Sequence, residues 1–130
     1  MIRMTPLVAY THSFITSLVF TSIIETAVLY ALVRFVLKKN IATRDILFAG
    51  IFASFATIGY VWFVFPVFIP KSVMPSVVLS EPFVFLVEAL FYRLYLKLSW
   101  RDALLASLAA NLASYLGGPA IRWLGLWPVW

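Results

Sequence analysis

The stretch ILFAGIFASFATIGYVWFVF, Ile46 to Phe65, contains no charged side chain. A bilayer's hydrocarbon core is about 30 Å thick, and at about 1.5 Å per residue a helix needs roughly 20 residues to cross it. The stretch has that length and reads as a membrane span. Composition agrees along the whole chain. Of 130 residues, 64% are hydrophobic and only 12% are charged. A soluble domain is nearer about 45–50% apolar and about 25% charged. A chain of this length, read as one domain over residues 1–130, has too much surface to hide that excess in a core. The lipid bilayer is therefore its first partner. No cysteine is present, which excludes disulfides, thiolate metal sites and thiol catalysis.

Three further spans flank the first. They are about Ser13–Val36, Ser80–Leu98 and Asp102–Ile121. Thr5-Pro6 reads as an earlier helix start for the first of them. Pro66 is expected to end or kink the Ile46–Phe65 span. SEPF at Ser80 offers a cap, with Glu81 and Pro82 in a first turn where helix polarity favours the acid. The run Gly117-Gly118-Pro119 is expected to close the last span. Long apolar runs exclude a β-barrel, whose strands alternate. The fold class is an all-α membrane protein of four transmembrane helices in two hairpins.

Basic residues set the orientation. Arg34, Lys38, Lys39 and Arg44 lie between spans one and two, and Arg93, Lys97 and Arg101 between spans three and four. The middle connection has Lys71, and the tails have Arg3 and Arg122. Short basic loops stay cytoplasmic, so both termini are expected outside. Tyr60, Trp62, Phe63 and Phe65 mark the outer interface, and Trp100 the inner one. The tail RWLGLWPVW, with Trp123, Trp127 and Trp130, is expected along the outer surface.

The hairpins resemble each other. ETAVLYAL at Glu25 aligns with EALFYRL at Glu88, with one gap, and RDILFAGIFAS at Arg44 aligns with RDALLASLAAN at Arg101 without one. That pattern fits a duplicated hairpin with its axis along the membrane normal. Small residues recur on the second and fourth spans: Ala49, Ala53 and Ala56 beside Gly50, Ser54 and Thr57, and Ala106, Ala110 and Ala113 beside Ser107, Asn111 and Ser114. In lipid such faces let helices approach closely, so these are the expected packing seams.

Within this apolar background Glu25 and Glu88 stand out. A charge at mid-span costs a few kcal/mol on insertion scales. Three things could offset it: a bound proton, hydrogen bonds from Tyr30, Tyr92, Asn111, Ser54 or Thr57, or a polar path. Arg93 is a further candidate partner for Glu88. The stripe Glu81, Phe85, Glu88, Tyr92, Tyr95 follows helical spacing. Glu25, Glu88, Asn111 and Tyr92 are the candidate ion- or substrate-binding residues. No catalytic residue, metal site or cofactor is read from the sequence. HExxH, GxSxG, Walker A and GxGxxG are absent, and His12 has no second histidine. The expected function is a small transporter or ion- or proton-translocating subunit in the cell membrane. It would act as a homo-oligomer or with other membrane subunits and without nucleic acid. The alternative is a non-catalytic scaffold subunit of a larger complex.

Overall fold

The computed structural model describes residues 5–69 and 76–125. Helix is the only regular structure among them. Lys71, Arg3, Trp127 and Trp130 lie outside the described residues. Helix α1, Pro6–Ala31, starts where the Thr-Pro pair places it. Thr5 caps it by accepting the Val8 N–H at 3.4 Å, and Pro6 occupies the position where a missing N–H matters least. The helix continues through one wider π turn, Leu32–Val36.

Helix α2, Thr43–Gly59, does not end before Pro66. It passes through a second π turn, Tyr60–Val64, into a last turn, Phe65–Phe68. Proline lacks the N–H that would serve the carbonyl four residues earlier, here Trp62. That carbonyl instead accepts the Tyr10 hydroxyl from α1 at 2.6 Å. Tyr10 and Phe14 also pack edge-on against Trp62 and Phe63. The proline's lost bond thus becomes a tie between two helices.

Helix α3 spans Ser76–Tyr95, and α4 spans Trp100–Trp123 behind a Ser99 cap that accepts the Asp102 N–H at 3.1 Å. Both correct the sequence expectation. The α3 helix begins before Ser80, so Ser80 is buried rather than a cap, and Pro82 lies inside the helix. Glu81 consequently falls outside the first turn, and helix polarity no longer accounts for it. In α4 the Gly117-Gly118-Pro119 run is helical. In an apolar medium every abandoned backbone bond is expensive, so glycine and proline signals that stop helices in water are overridden.

Among the described residues three helices, Pro6–Val36, Thr43–Phe68 and Trp100–Trp123, are long and apolar enough to cross a membrane. α3 carries Glu81, Glu88 and Arg93 along its length. Leu, Ile and Phe point outward at Ile15, Ile23, Ile51, Phe55, Leu108 and Leu112. The interior is mixed: Ser54, Thr57, Glu88, Ser107 and Asn111 are buried beside an apolar core that includes Leu29, Val33 and Ile46. An apolar exterior and buried polar groups both suit a lipid solvent.

α1 packs beside α2 and α4, and α3 packs beside α4 and α2. Small residues set the approach, as anticipated. Ala49, Ala53, Ala103, Ala106 and Ala110 are buried. A Cβ at Gly50 would come within 2.6 Å of Thr26 Oγ1 and 2.8 Å of its Cα. Ala56 departs from its expected place and faces outward. The inward row turns through Ala53, Ser54 and Thr57 instead. Phe48, Phe52, Phe91 and Tyr95 form a ring cluster between α2 and α3, with centroids 5.2–5.4 Å apart.

The two basic connections share one end of the bundle. Lys39 in the first pairs with Asp102 at the start of α4, 3.1 Å away. Arg34 donates to the Ile41 carbonyl at 2.8 Å and braces the first connection. Each connection also holds a lysine in the left-handed region, Lys38 at φ 51° and Lys97 at φ 54°. Each is the second residue after its helix ends.

Candidate functional site

Glu25 on α1 is 2% exposed and Glu88 on α3 is fully buried. Both sit where their helices press against α2 and α4, whose inward rows carry short polar side chains. Ser54 on α2 donates to Glu25 Oε2 at 2.6 Å, and Ser114 on α4 donates to Oε1 at 2.7 Å. Thr57 on α2 donates to Glu88 Oε1 at 3.1 Å, and the Asn111 amide on α4 donates to Oε2 at 2.6 Å. Each carboxyl is therefore held between the same two helices.

The bonding is crosswise. Ser54 and Thr57 are one turn apart on α2, and Asn111 and Ser114 one turn apart on α4, each pair separated by about 4.5 Å of rise. Glu25 takes the earlier residue on α2 and the later on α4. Glu88 takes the later on α2 and the earlier on α4. Aligning Arg44–Ser54 with Arg101–Asn111 sets Ser54 against Asn111 and, three residues on, Thr57 against Ser114. Under that alignment Glu25–Ser54 corresponds to Glu88–Asn111, and Glu25–Ser114 to Glu88–Thr57. Backbone bonds correspond as well. Ser54 Oγ reaches the Gly50 carbonyl at 3.0 Å, and Asn111 Nδ2 the Ser107 carbonyl at 2.9 Å. Thr57 Oγ1 lies 3.4 Å from the Ser54 carbonyl, and Ser114 Oγ lies 3.1 Å from that of Asn111. Buried positions match as far as Ser54 and Asn111: Ile46, Ala49, Gly50, Ala53 and Ser54 against Ala103, Ala106, Ser107, Ala110 and Asn111. Beyond them the match ends, since Ile58 is buried and Tyr115 exposed.

Of the donors anticipated for the glutamates, Ser54, Thr57 and Asn111 take that place. Tyr30 packs edge-on against Phe35 instead. Arg93 makes no ion pair with Glu88 among the described residues, since a step of five turns it to another face. Tyr92 is fully buried one turn beyond Glu88, but its hydroxyl has no hydrogen-bond partner. It nevertheless lies within electrostatic reach of both carboxyls. Of the stripe, Tyr95 is exposed. Ser114 is a donor that the sequence reading placed only in a packing seam. Its spacing of three from Asn111 was the available signal. Ser22 and Thr26, flanking Glu25, are two more buried hydroxyls without a partner.

Two open grooves reach this region. One, of about 390 Å³, is lined by Glu81, Phe85, Leu108, Asn111 and Tyr115 between α3 and α4. The other, of about 450 Å³, is lined by Ser22, Thr26, Ile51 and Phe55 between α1 and α2. Glu81, half-buried at the first groove, thus shares a surface with Asn111.

No protein family, curated protein or solved structure matches this chain. What fold and site define together is a class: an all-helical protein of membrane-crossing helices whose interior holds two carboxyls bound by hydroxyl and amide donors.

Proposed function

We propose that the chain is a small four-span transporter or ion- or proton-translocating subunit, built from two copies of one helical hairpin. Its basic loops face the cytoplasm and both termini face outward. It works as a homo-oligomer or with other membrane subunits, because four helices alone enclose only a narrow path. Glu25 and Glu88 are its charge sites, Asn111 orients Glu88, and Tyr92 faces the same interior.

The observation that carries this reading is the carboxyl pair itself. Two acidic groups lie inside the bundle, at matched places, with no basic side chain among the described residues bonded to them. Glue between helices needs no ionisable group, because serine, threonine and asparagine supply the same bonds at smaller cost. The test is purified protein in liposomes under a proton or cation gradient. Wild type should dissipate the gradient. Glu25→Gln and Glu88→Gln should fold normally and lower the flux at least tenfold, because an amide keeps the shape but cannot ionise. Flux unchanged in both variants rejects the charge sites.

One observation favours a second reading, a non-catalytic scaffold subunit. All four carboxyl oxygens have a donor, so the network is complete as a structural clasp. That reading predicts no flux in wild type and full assembly of the Gln variants.

A further inference from the structure

The hydrogens of the network can be counted. Ser54, Thr57 and Ser114 have one hydroxyl hydrogen each. Each faces a carboxyl oxygen on one side and a helix carbonyl on the other: Gly50 O at 3.0 Å, Ala53 O at 3.0 Å and Asn111 O at 3.1 Å. With the Ser54 carbonyl, 3.4 Å from Thr57 Oγ1, three hydrogens serve seven acceptors. Asn111 differs. Its two amide hydrogens serve Glu88 Oε2 at 2.6 Å and the Ser107 carbonyl at 2.9 Å, with Ser107 Oγ farther off at 3.3 Å.

The count shows how a proton fits. Glu25 and Glu88 are buried among packed helices, so a metal cation, which draws several oxygens to about 2.0–2.6 Å, would have to move side chains. A proton requires no displacement. When it bonds to a carboxyl oxygen, that oxygen becomes the donor to the hydroxyl it faced. The hydroxyl hydrogen swings to the helix carbonyl behind it. One O–H bond forms, one negative charge is lost, and no heavy atom moves. The reverse swing releases the proton.

We propose that Glu25 and Glu88 form a proton-binding site in which Ser54, Thr57 and Ser114 redirect their hydroxyl hydrogens as the proton arrives and leaves. The proton resides on either oxygen of Glu25 or on Glu88 Oε1, because Asn111 holds Glu88 Oε2 as an acceptor. A second observation points the same way. The hydroxyls of Ser22, Thr26 and Tyr92 are buried without partners around the pair, and Ser22 and Thr26 line a groove open to the outside of the bundle. They are further hydroxyls beside the pair, able to accept or pass on a hydrogen. The ionisable groups facing the site are few. α1 contributes Glu25, α3 contributes Glu88, Glu81 and Tyr92, and among the described residues α2 and α4 present only hydroxyls and amides. The proposal rests on the charge-site reading above and narrows it from an ion to a proton.

Infrared spectroscopy of the purified protein in lipid tests it, from mildly acidic to mildly alkaline pH. A protonated-carboxyl C=O band should be present, shift in D₂O and lose intensity as pH rises. It should weaken in Glu25→Gln and in Glu88→Gln, and survive unchanged in Glu81→Gln, a residue outside the network. Thr57→Val, which removes one redirecting hydroxyl, should shift the band's frequency. Absence of the band at every pH, or its loss only in Glu81→Gln, overturns the site. The band with no proton flux in liposomes leaves the site standing and removes transport. Cation flux without the band keeps transport and removes the proton.

Discussion

Asn111 illustrates how far single residues could be read in advance. An amide in an apolar helix has donors that lipid cannot satisfy. It was therefore expected beside a glutamate, and it bonds Glu88 at 2.6 Å. Glu25 and Glu88 were legible for the same reason. Ser114 was not, because serine is common in packed membrane helices and its hydroxyl alone gives no sign of its acceptor. Tyr92 was expected as a donor, yet its hydroxyl has no partner. Helical spacing places a side chain on a face, but not the reach of its tip. Asn111→Leu should cost about 1–3 kcal/mol, since Glu88 Oε2 is left without a donor. Adding Glu88→Leu should cost less than the two single losses summed, because both partners are then apolar. Unfolding in detergent measures all three variants, and strict additivity would mean that the two residues do not interact.

At the scale of elements, the number and approximate position of the helices were legible from length and charge. Their ends were read less well. Pro66 was expected to end or kink its span, and Pro82 and the Gly117-Gly118-Pro119 run were taken as boundaries; each lies within continuing helix. Those signals derive their force from water, which satisfies whatever backbone a helix gives up. Here the helix persists, and a neighbour such as Tyr10 meets the freed carbonyl. The small-residue seams were legible, but not which glycine matters. A Cβ at Gly50 would come within 2.8 Å of the Thr26 Cα, whereas one at Gly118 would meet nothing within 4 Å. Gly50→Ala should therefore force α1 and α2 apart and destabilise by about 1–3 kcal/mol. Gly118→Ala should be neutral or stabilise by up to about 1 kcal/mol, through its better helix propensity. Thermal unfolding of the two variants in the same detergent checks the pair, and equal shifts would contradict the close crossing.

For the molecule as a whole, the all-helical architecture followed from composition, but the arrangement of helices did not. Nothing in an isolated span says which neighbours it will have. The likeness of the two hairpin sequences was the one hint. Its alignment sets Ser54 against Asn111, and the crosswise bonding of Glu25 and Glu88 follows the same correspondence. That bonding requires both carboxyls at one depth, which in turn requires the two basic connections on one side of the membrane. The Lys39–Asp102 pair, 3.1 Å long, fits this requirement. Because the chain has no cysteine, the requirement can be tested cleanly in intact cells. Lys38→Cys and Lys97→Cys, introduced singly, are exposed to a thiol reagent that cannot cross the membrane. The account predicts that neither is labelled until the cells are permeabilised, and that both then react alike. Labelling of one in intact cells, with protection of the other, would place the connections on opposite sides and contradict the four-helix network.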